Sequence, residues 1–187
     1  MREIDLVTLE ACRRGDRAAF RVLVETYQDA VHAFAVALVD ADAADVTQET
    51  CARAHAAVRR FEPGGPAKLS TWLLTIARRL CRERRRRARL VPLTPELAGS
   101  DPGDDPERRL IAARVVERVR VAFERLPDEQ RAVVALRSWD GLEYEEIAAV
   151  EGVPVGTVRS RLARARAALA EALADIVDAK GERHAAR

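Results

Sequence analysis

The chain contains few aromatic residues and few cysteines. Aromatic side chains make up 4% of its 187 residues, whereas hydrophobic residues of all kinds make up 48%. This balance favours aliphatic cores packed between helices, and the length suits two small domains. Cys12, Cys51 and Cys81 lie far apart and form no C-x-x-C motif. The sequence therefore indicates neither a zinc site nor a disulfide framework, and the thiols are interpreted as small buried apolar side chains.

Long apolar runs are also missing. No segment reaches the roughly 18 consecutive apolar residues that are typical of a membrane helix. The most apolar segment, residues 30–39, is interrupted by His32 and is predicted to be a buried helix. The N-terminus carries no recognisable signal peptide or amphipathic targeting stretch. We therefore expect a cytoplasmic protein.

The residue groups that usually carry catalysis are absent from the sequence. It shows no clustered carboxylates, no histidine pair and no glycine loop of the kind that cradles phosphate. Asp104 and Asp105 lack the spacing and the partner motif of metal ligands, so a solvated acidic segment is the favoured interpretation. An enzyme such as a nuclease is disfavoured, and no cofactor or metal is expected.

Charge is abundant but strongly segregated along the chain. The formal net charge of +2 indicates no particular partner, yet residues 78–89 hold eight arginines and one acid, and residues 96–107 hold five acids and no base. Residues 90–106 also contain four of the eight prolines and two glycines, which is typical of a linker. We predict an all-α fold of two small helical domains, 1–89 and 109–176, joined by a flexible acidic linker at 90–108 and followed by a short tail at 177–187.

A helix-turn-helix pattern occupies residues 144–166. Ile147, Ala148 and Val150 give a first helix one apolar side, Gly152 permits a sharp turn, and Pro154 suits the entry to a second helix. Side chains early in such a second helix reach base edges in the major groove of DNA.

The predicted second helix has an apolar face and a basic face. Val158, Leu162, Ala165 and Leu169 recur at helical spacing and should pack inward. Arginine can bond guanine bidentately and also grips phosphate, so the opposite face suits DNA better than plain solvent. The side chains that point away from the apolar stripe are Thr157, Ser160, Arg161 and Arg164, and those on its flanks are Arg159 and Arg166.

The predicted helix at residues 44–60 presents a small polar surface. Val46, Thr50 and Ala54 fall on one side, while Asp45, Gln48 and Glu49 fall on another beside alanines. Such a surface is either simply exposed to solvent, or its small side chains allow a helix of a partner protein to pack closely against it. The residues alone leave both interpretations open.

Residues 62–69 form a glycine-proline loop that precedes a helix with an apolar start and a basic end. Leu73, Ile76 and Ala77 share its apolar face, and the core ends near Cys81. Trp72 either packs in the core or stacks on an unpaired base, since both uses suit an aromatic ring. The arginines that form a stripe suited to a polyanion are Arg78, Arg82, Arg85 and Arg86.

These segments together resemble the extracytoplasmic-function group of bacterial sigma factors, over most of the chain. Residues 42–50, D-A-A-D-V-T-Q-E-T, resemble the family's region 2.2, and residues 70–78, S-T-W-L-L-T-I-A-R, resemble regions 2.3 and 2.4. Residues 126–133, L-P-D-E-Q-R-A-V, resemble the start of region 4, which the helix-turn-helix follows. No large domain separates regions 2 and 4, as in this group's reduced architecture.

The resemblance implies a sigma factor that binds core RNA polymerase and directs promoter-specific transcription initiation under the control of an anti-sigma factor. Region 2.2 implies contacts of Asp45, Gln48 and Glu49 with the clamp helices of the largest polymerase subunit. Regions 2.3 and 2.4 imply melting and recognition of the −10 element, with the loop at 62–69 capturing an extruded base. The residues implied at the −10 element are Lys68, Trp72, Arg78, Arg79, Arg82, Arg85 and Arg86. Those implied at the −35 element are Thr157, Arg159, Ser160, Arg161, Arg164 and Arg166.

The chain departs from the family pattern at three positions. Arg79 stands where the family often has asparagine, His55 replaces a common aromatic residue, and Cys51 replaces a large apolar one. A contribution of Arg79 to promoter choice is therefore a hypothesis. The alternative function is an autonomous, dimeric helix-turn-helix regulator that binds duplex DNA without polymerase. This alternative accounts for the C-terminal domain alone.

Overall fold

The computed structural model describes residues 3–65, 67–88, 106–138 and 141–174, and these residues form α-helices and two short 3₁₀ turns without any strand. The predicted all-α class is confirmed. The predicted linker lies outside the described residues as far as position 105, and the predicted tail at 177–187 lies wholly outside them.

Four helices build the N-terminal half. Two of them have an aspartate as N-cap. Asp5 Oδ1 accepts a hydrogen bond from the Thr8 backbone N–H at 2.8 Å, and Asp16 Oδ1 accepts one from the Ala18 backbone N–H at 2.8 Å. Gly15 separates these helices with a φ of 91°, which glycine adopts without strain. The helices are α1 (Leu6–Arg14), α2 (Arg17–Val39), α3 (Ala43–Ala57) and α4 (Leu69–Ala88).

Helix α2 is the centre of the N-terminal core and packs against α1, α3 and α4. Its buried side chains include Leu23, Tyr27 and Phe34, which recur at helical spacing and have under 3% of their surface exposed. The apolar segment at 30–39 is thus the second half of a 23-residue core helix. His32 lies at its exposed edge, with Nδ1 3.3 Å from Thr47 Oγ1, as expected of a boundary residue.

One helical run among the described residues, Arg17–Arg60, is long and apolar enough to be considered as a membrane span, with a mean hydropathy of 1.3 in its most apolar window. Length and composition are weak support for a span here. Helix α2 supplies seven buried side chains to the core, and a core helix passes the same test.

The C-terminal half contains the predicted helix-turn-helix. Gly152 ends its first helix with a φ of 68°, and Pro154 precedes its second helix with a φ of −60°. The first helix begins with a capping box in which the Glu146 carboxylate accepts from the Glu143 backbone N–H at 2.8 Å. The helices of this half are α5 (Pro106–Glu124), α6 (Asp128–Ser138), α7 (Tyr144–Glu151) and α8 (Val155–Ala172).

The two halves pack against one another. Helix α4 lies on α7 and α2 lies on α6, and a single cluster of buried side chains runs through both halves. The sequence patterns did not predict this arrangement. It brings the basic helix of the N-terminal half onto the helix-turn-helix.

Candidate nucleic-acid interface

Helix α8 has the two faces that the sequence predicts. Val158, Leu162 and Ala165 are buried, whereas Leu169 is only half-buried near the end of the helix. Arg164 donates to Ser160 Oγ at 3.2 Å, so two outward side chains are linked to each other. Of the predicted −35 residues, Arg159, Arg164 and Arg166 are exposed, and Thr157, Ser160 and Arg161 are partly covered.

Arg161 is the predicted −35 residue that forms an ion pair with the preceding helix. Its side chain is 20% exposed, and its Nη1 lies 3.3 Å from Oε2 of Glu151, at the end of the preceding helix. Because arginine has five donors in a planar fork, this contact leaves further donors for a base or a phosphate.

Helix α4 continues as one helix through its arginines. Its apolar start is buried through Leu73, Leu74, Ala77, Leu80 and Cys81, in agreement with a core that ends near Cys81. Beyond that point, ion pairs replace apolar contacts as the links to neighbouring helices.

Arg78 is buried against the C-terminal half. Its side chain is 2% exposed, its Nε donates to Glu151 Oε1 at 2.5 Å, and its Nη2 donates to Glu151 Oε2 at 3.1 Å. Its Nη1 is buried and has no partner among the described residues. In this arrangement the Arg78 guanidinium is covered by α7, so it can meet DNA only if α7 moves away.

Arg82 and Arg85 also reach the C-terminal half. Arg82 Nη2 lies 3.0 Å from Glu151 Oε2, and Arg85 Nε lies 2.6 Å from Asp128 Oδ2. Arg85 donates a second bond, from Nη1 to the Leu38 carbonyl at 2.9 Å, and so ties the end of α2 to the start of α6. Both arginines remain partly accessible to a polyanion, because 49% of the Arg82 side chain and 29% of the Arg85 side chain are exposed.

The contact between α4 and the C-terminal half is called the seam below. The remaining predicted −10 residues lie on α4 or just before it. Lys68 Nζ is 2.8 Å from Glu146 Oε1, and this hydrogen bond raises the pKa of the Lys68 ammonium. Trp72 is half-buried and packs at a tilt on Phe61, with ring centroids 5.3 Å apart. Arg79 is 79% exposed beside Glu83, and Arg86 is also exposed.

The predicted polymerase-binding residues share the outer surface of α3. Asp45 and Gln48 are exposed and Glu49 is half-buried, while Val46, Thr50 and Ala54 face the core. The hydrogen bond that Arg53 donates to Glu49 at 2.6 Å lowers the pKa of that carboxyl group. The Glu49 carboxyl group is therefore ionised at neutral pH.

Arg84 also belongs to this surface, although the sequence patterns did not indicate that it does. Its guanidinium reaches from α4 to three carboxylates, with Asp42 at 3.7 Å, Asp45 at 3.6 Å and Glu49 at 3.5 Å. The three acids recur at steps of three and four residues, which places them on one side of the chain facing α4. That spacing was the available signal.

Glu151 was missed for a related reason. It follows Ile147 by four residues and so shares the buried face of α7, where an isolated acid is costly unless it is paired. An acid on an apolar face was a signal that a cation must approach from another element. No local pattern identifies Arg78, 73 positions earlier in the chain, as that cation.

Two of the three cysteines are buried as the sequence suggested, and the third is partly covered. Cys12 and Cys81 are buried, and Cys51 is half-buried. Burial raises the pKa of Cys81 to about 12, and it raises the pKa values of Cys12 and Cys51 as well. The thiols are therefore packing groups.

The fold and its two basic surfaces define a two-part helical DNA-binding protein. The family model for sigma-70 region 2 matches residues 23–91, and the model for sigma-70 region 4 matches residues 116–169. The RNA polymerase sigma-H factor of Pseudomonas aeruginosa is 37% identical, over 91% of this chain and 94% of its own length. The ECF RNA polymerase sigma-E factor of Escherichia coli is 35% identical, over 88% of this chain and 92% of its own.

Solved structures give the same result. CnrH, in complex with the cytosolic domain of CnrY, matches with a TM-score of 0.63 and 27% identity, over 92% of this chain and 96% of that one. The sigma factor RpoE of Bartonella quintana, in complex with the anti-sigma factor NepR, matches with a TM-score of 0.68 and 29% identity, over 82% of this chain and 96% of that one. The chain belongs to the extracytoplasmic-function sigma factors of bacterial RNA polymerase. Members of this family bind core RNA polymerase and promoter DNA to start transcription, and they are generally regulators without enzymatic activity.

Proposed function

We propose that this sigma factor uses residues 1–89 to bind core polymerase and the −10 element, and residues 109–176 to bind the −35 element, with residues 90–108 as the connection and 177–187 as a tail. The observation that carries this proposal is the presence of two basic helices, α4 and α8, whose arginines each lie within a matched sigma region. Each helix suits a different part of a promoter.

The −35 duplex is read by α8. Its outward face carries residues able to bond base edges. The turn at Gly152 joins α7 to α8, and in a helix-turn-helix the N-terminal residues of the second helix contact base edges in the major groove. The residues that make these contacts are Thr157, Arg159, Ser160, Arg161, Arg164 and Arg166.

The melted −10 element lies along α4 and the loop before it. Positive side chains follow the phosphates, and Trp72 offers an aromatic face to an unstacked base while its other side rests on Phe61. The residues involved are Lys68, Trp72, Arg78, Arg79, Arg82, Arg85 and Arg86. The chain itself performs no catalysis, because RNA synthesis belongs to the polymerase.

Core polymerase docks on α3 through Asp45, Gln48 and Glu49. The ionised Glu49 carboxylate, whose pKa Arg53 lowers, suits a partner helix that carries arginine or lysine. The site of action is the cytoplasm, where the polymerase lies. An anti-sigma factor controls the chain, and the complexes described for two structural relatives, CnrH with CnrY and RpoE with NepR, support this partner class.

The test is in vitro transcription with purified core polymerase, with and without the protein, on a genomic promoter library whose transcript 5′ ends are sequenced. We expect new start sites that share two upstream elements. Absence of initiation, together with binding to duplex DNA without polymerase, would instead support the autonomous regulator.

Paired variants test the residue assignments in the same assay. Asp45→Asn should reduce initiation at every promoter because it weakens polymerase binding, and Asp29→Asn, an exposed aspartate on α2, is its matched control. Arg79→Asn should change which −10 sequences are used. Unchanged promoter selectivity in Arg79→Asn would remove the hypothesis for that residue.

A further inference from the structure

The first turn of α4 has no side-chain cap from the residue that precedes it. That residue is Lys68, and a lysine side chain has donors but no acceptor. The first backbone N–H groups of a helix have no partner within the helix and need an acceptor from elsewhere. An acceptor for this end of α4 therefore has to come from another part of the chain.

Glu3 supplies that acceptor from 67 positions away. Its Oε1 accepts hydrogen bonds from the Ser70 backbone N–H at 3.3 Å and from the Ser70 hydroxyl group, and Ser70 is only 4% exposed. The position also suits the charge of Glu3, because a helix N-terminus attracts a carboxylate. The hydrogen bond from Lys68 to Glu146 is the main cause of the raised pKa of Lys68, and the charge of Glu3 raises that pKa further.

Glu3 is itself held in place by the core. Tyr27 of α2 is 2% exposed, and its hydroxyl group donates to Glu3 Oε2 at 3.0 Å and accepts from the Ile4 backbone N–H at 3.1 Å. Burial raises the pKa of Tyr27, so its phenol stays protonated and remains a donor. The two oxygens of Glu3 thus join the buried side of α2 to the start of α4.

The other side of the same turn carries Trp72. Positions two residues apart on an α-helix are separated by about 200°, so Trp72 lies on the side of α4 opposite Ser70. Its ring packs on Phe61 with the centroids 5.3 Å apart, and its backbone N–H donates to the Lys68 carbonyl at 3.0 Å. Phe61 and Trp72 flank the loop at 62–69. The turn is therefore held by Glu3 on one side and by Phe61 on the other.

We propose that Glu3 is a positioning residue for the −10 element, because it fixes the first turn of α4 and thereby the places of Trp72 and of the loop at 62–69. This role rests on the function proposed above for that loop and for Trp72. Stacking requires the aromatic ring to stand where the unpaired base arrives, and a helix end without its cap frays. Without Glu3, the ring and the loop are no longer held in one position, so an unstacked base gains less by entering.

The test measures the binding of single-stranded −10 DNA by the full chain in complex with core polymerase. The probe is a fluorescent strand from a start site found by in vitro transcription, and a series of strands with one abasic site each identifies the position of the captured base. Removal of that base should weaken binding by the wild type roughly tenfold, as expected for the loss of one base stacked on an aromatic ring. For Glu3→Ala the same removal should weaken binding by no more than about threefold.

Glu25→Ala is the matched control. Glu25 is an exposed glutamate on α2 whose pair with Arg21 is 4.0 Å long, so this variant should show the wild-type loss on the abasic strand. Glu3→Gln keeps an oxygen that can accept from Ser70 and should restore most of that loss. All four proteins should bind core polymerase with equal affinity, because none of these changes touches the outer surface of α3.

A roughly tenfold loss on the abasic strand that persists in Glu3→Ala would overturn the role of Glu3, even if this variant bound every strand more weakly. Such a uniform weakening would mean that Glu3 only stabilises the fold. If no abasic site weakens binding by the wild type, the function proposed for Trp72 and the loop fails instead. That result is obtained without any variant, so the two kinds of failure are distinguishable.

Discussion

The buried pair of Arg78 and Glu151 permits a quantitative test by a double-mutant cycle. The two side chains are 2% and 0% exposed, so each depends on the other for its counter-charge. Removing one member of such a pair typically costs about 3–5 kcal/mol, whereas replacing both by apolar groups of similar size is often neutral. We therefore expect Arg78→Met and Glu151→Leu each to lower the free energy of unfolding by about 3 kcal/mol or more.

The double variant Arg78→Met/Glu151→Leu should lie much closer to the wild type. It still loses the bonds to Glu151 from Arg82 and Arg161, but both arginines keep exposed surface and each pair is worth about 1 kcal/mol or less. The cycle should then give a coupling energy of about 4 kcal/mol, above the roughly 0.5–3 kcal/mol usual for residues in contact, because two losses of about 3 kcal/mol are replaced by one of about 2 kcal/mol in the double variant. Separation of the halves sets an upper limit on the loss in each single variant, because the one remaining charge then regains water.

The assay is urea unfolding followed by circular dichroism, with the free energy obtained by linear extrapolation. The control cycle uses Arg21→Met and Glu25→Leu, an exposed pair 4.0 Å apart on α2, whose coupling should be about 0.3–0.5 kcal/mol. Additive losses in the Arg78 and Glu151 cycle would refute the reasoning, because they would mean that the two groups do not depend on one another.

Three further outcomes are expected. Arg161→Ala should reduce discrimination between −35 sequences by about 1–3 kcal/mol in competition with base-substituted duplexes, and an equal loss on all sequences would identify a phosphate contact instead. Arg84→Ala should weaken binding to core polymerase in fluorescence anisotropy, because Arg84 then no longer holds the Asp45 and Glu49 carboxylates in a fixed position for the partner. The exposed Arg87→Ala is the control, and unchanged or tighter binding by Arg84→Ala would contradict a positioning role. Cys81, whose pKa burial raises to about 12, should resist alkylation at about pH 8 until urea unfolds the chain, and fast labelling of the native protein would disprove this.

Local features of the fold were predictable from the sequence because they depend on neighbours along the chain. Asp16 caps α2 as a side chain of its type should, and Gly152 takes the left-handed conformation that the turn requires. The inward face of α8 follows from a period of 3.6 residues, which Val158 and Leu162 satisfy. Each of these conclusions needs only a short window of sequence.

The seam between the halves was not predictable in this way. Glu146 and Lys68 are 78 positions apart, and nothing in either segment's periodicity specifies the other. The arginines of α4 suited a polyanion, and the sequence could not distinguish DNA from the carboxylates of the same chain. Glu151 on an apolar face was the one local sign that a cation approaches from elsewhere.

The sharing of Glu151 among three arginines has an evolutionary consequence. If Arg161 reads the −35 element as proposed, a mutation there that alters promoter choice also removes one of the contacts that hold Glu151 in place. Selection for a new set of target genes then acts at the same time on the contact between the two halves of the chain. Among descendants of this gene, promoter preference and the strength of that contact should change together, and residues 78, 82, 151 and 161 should change as a group.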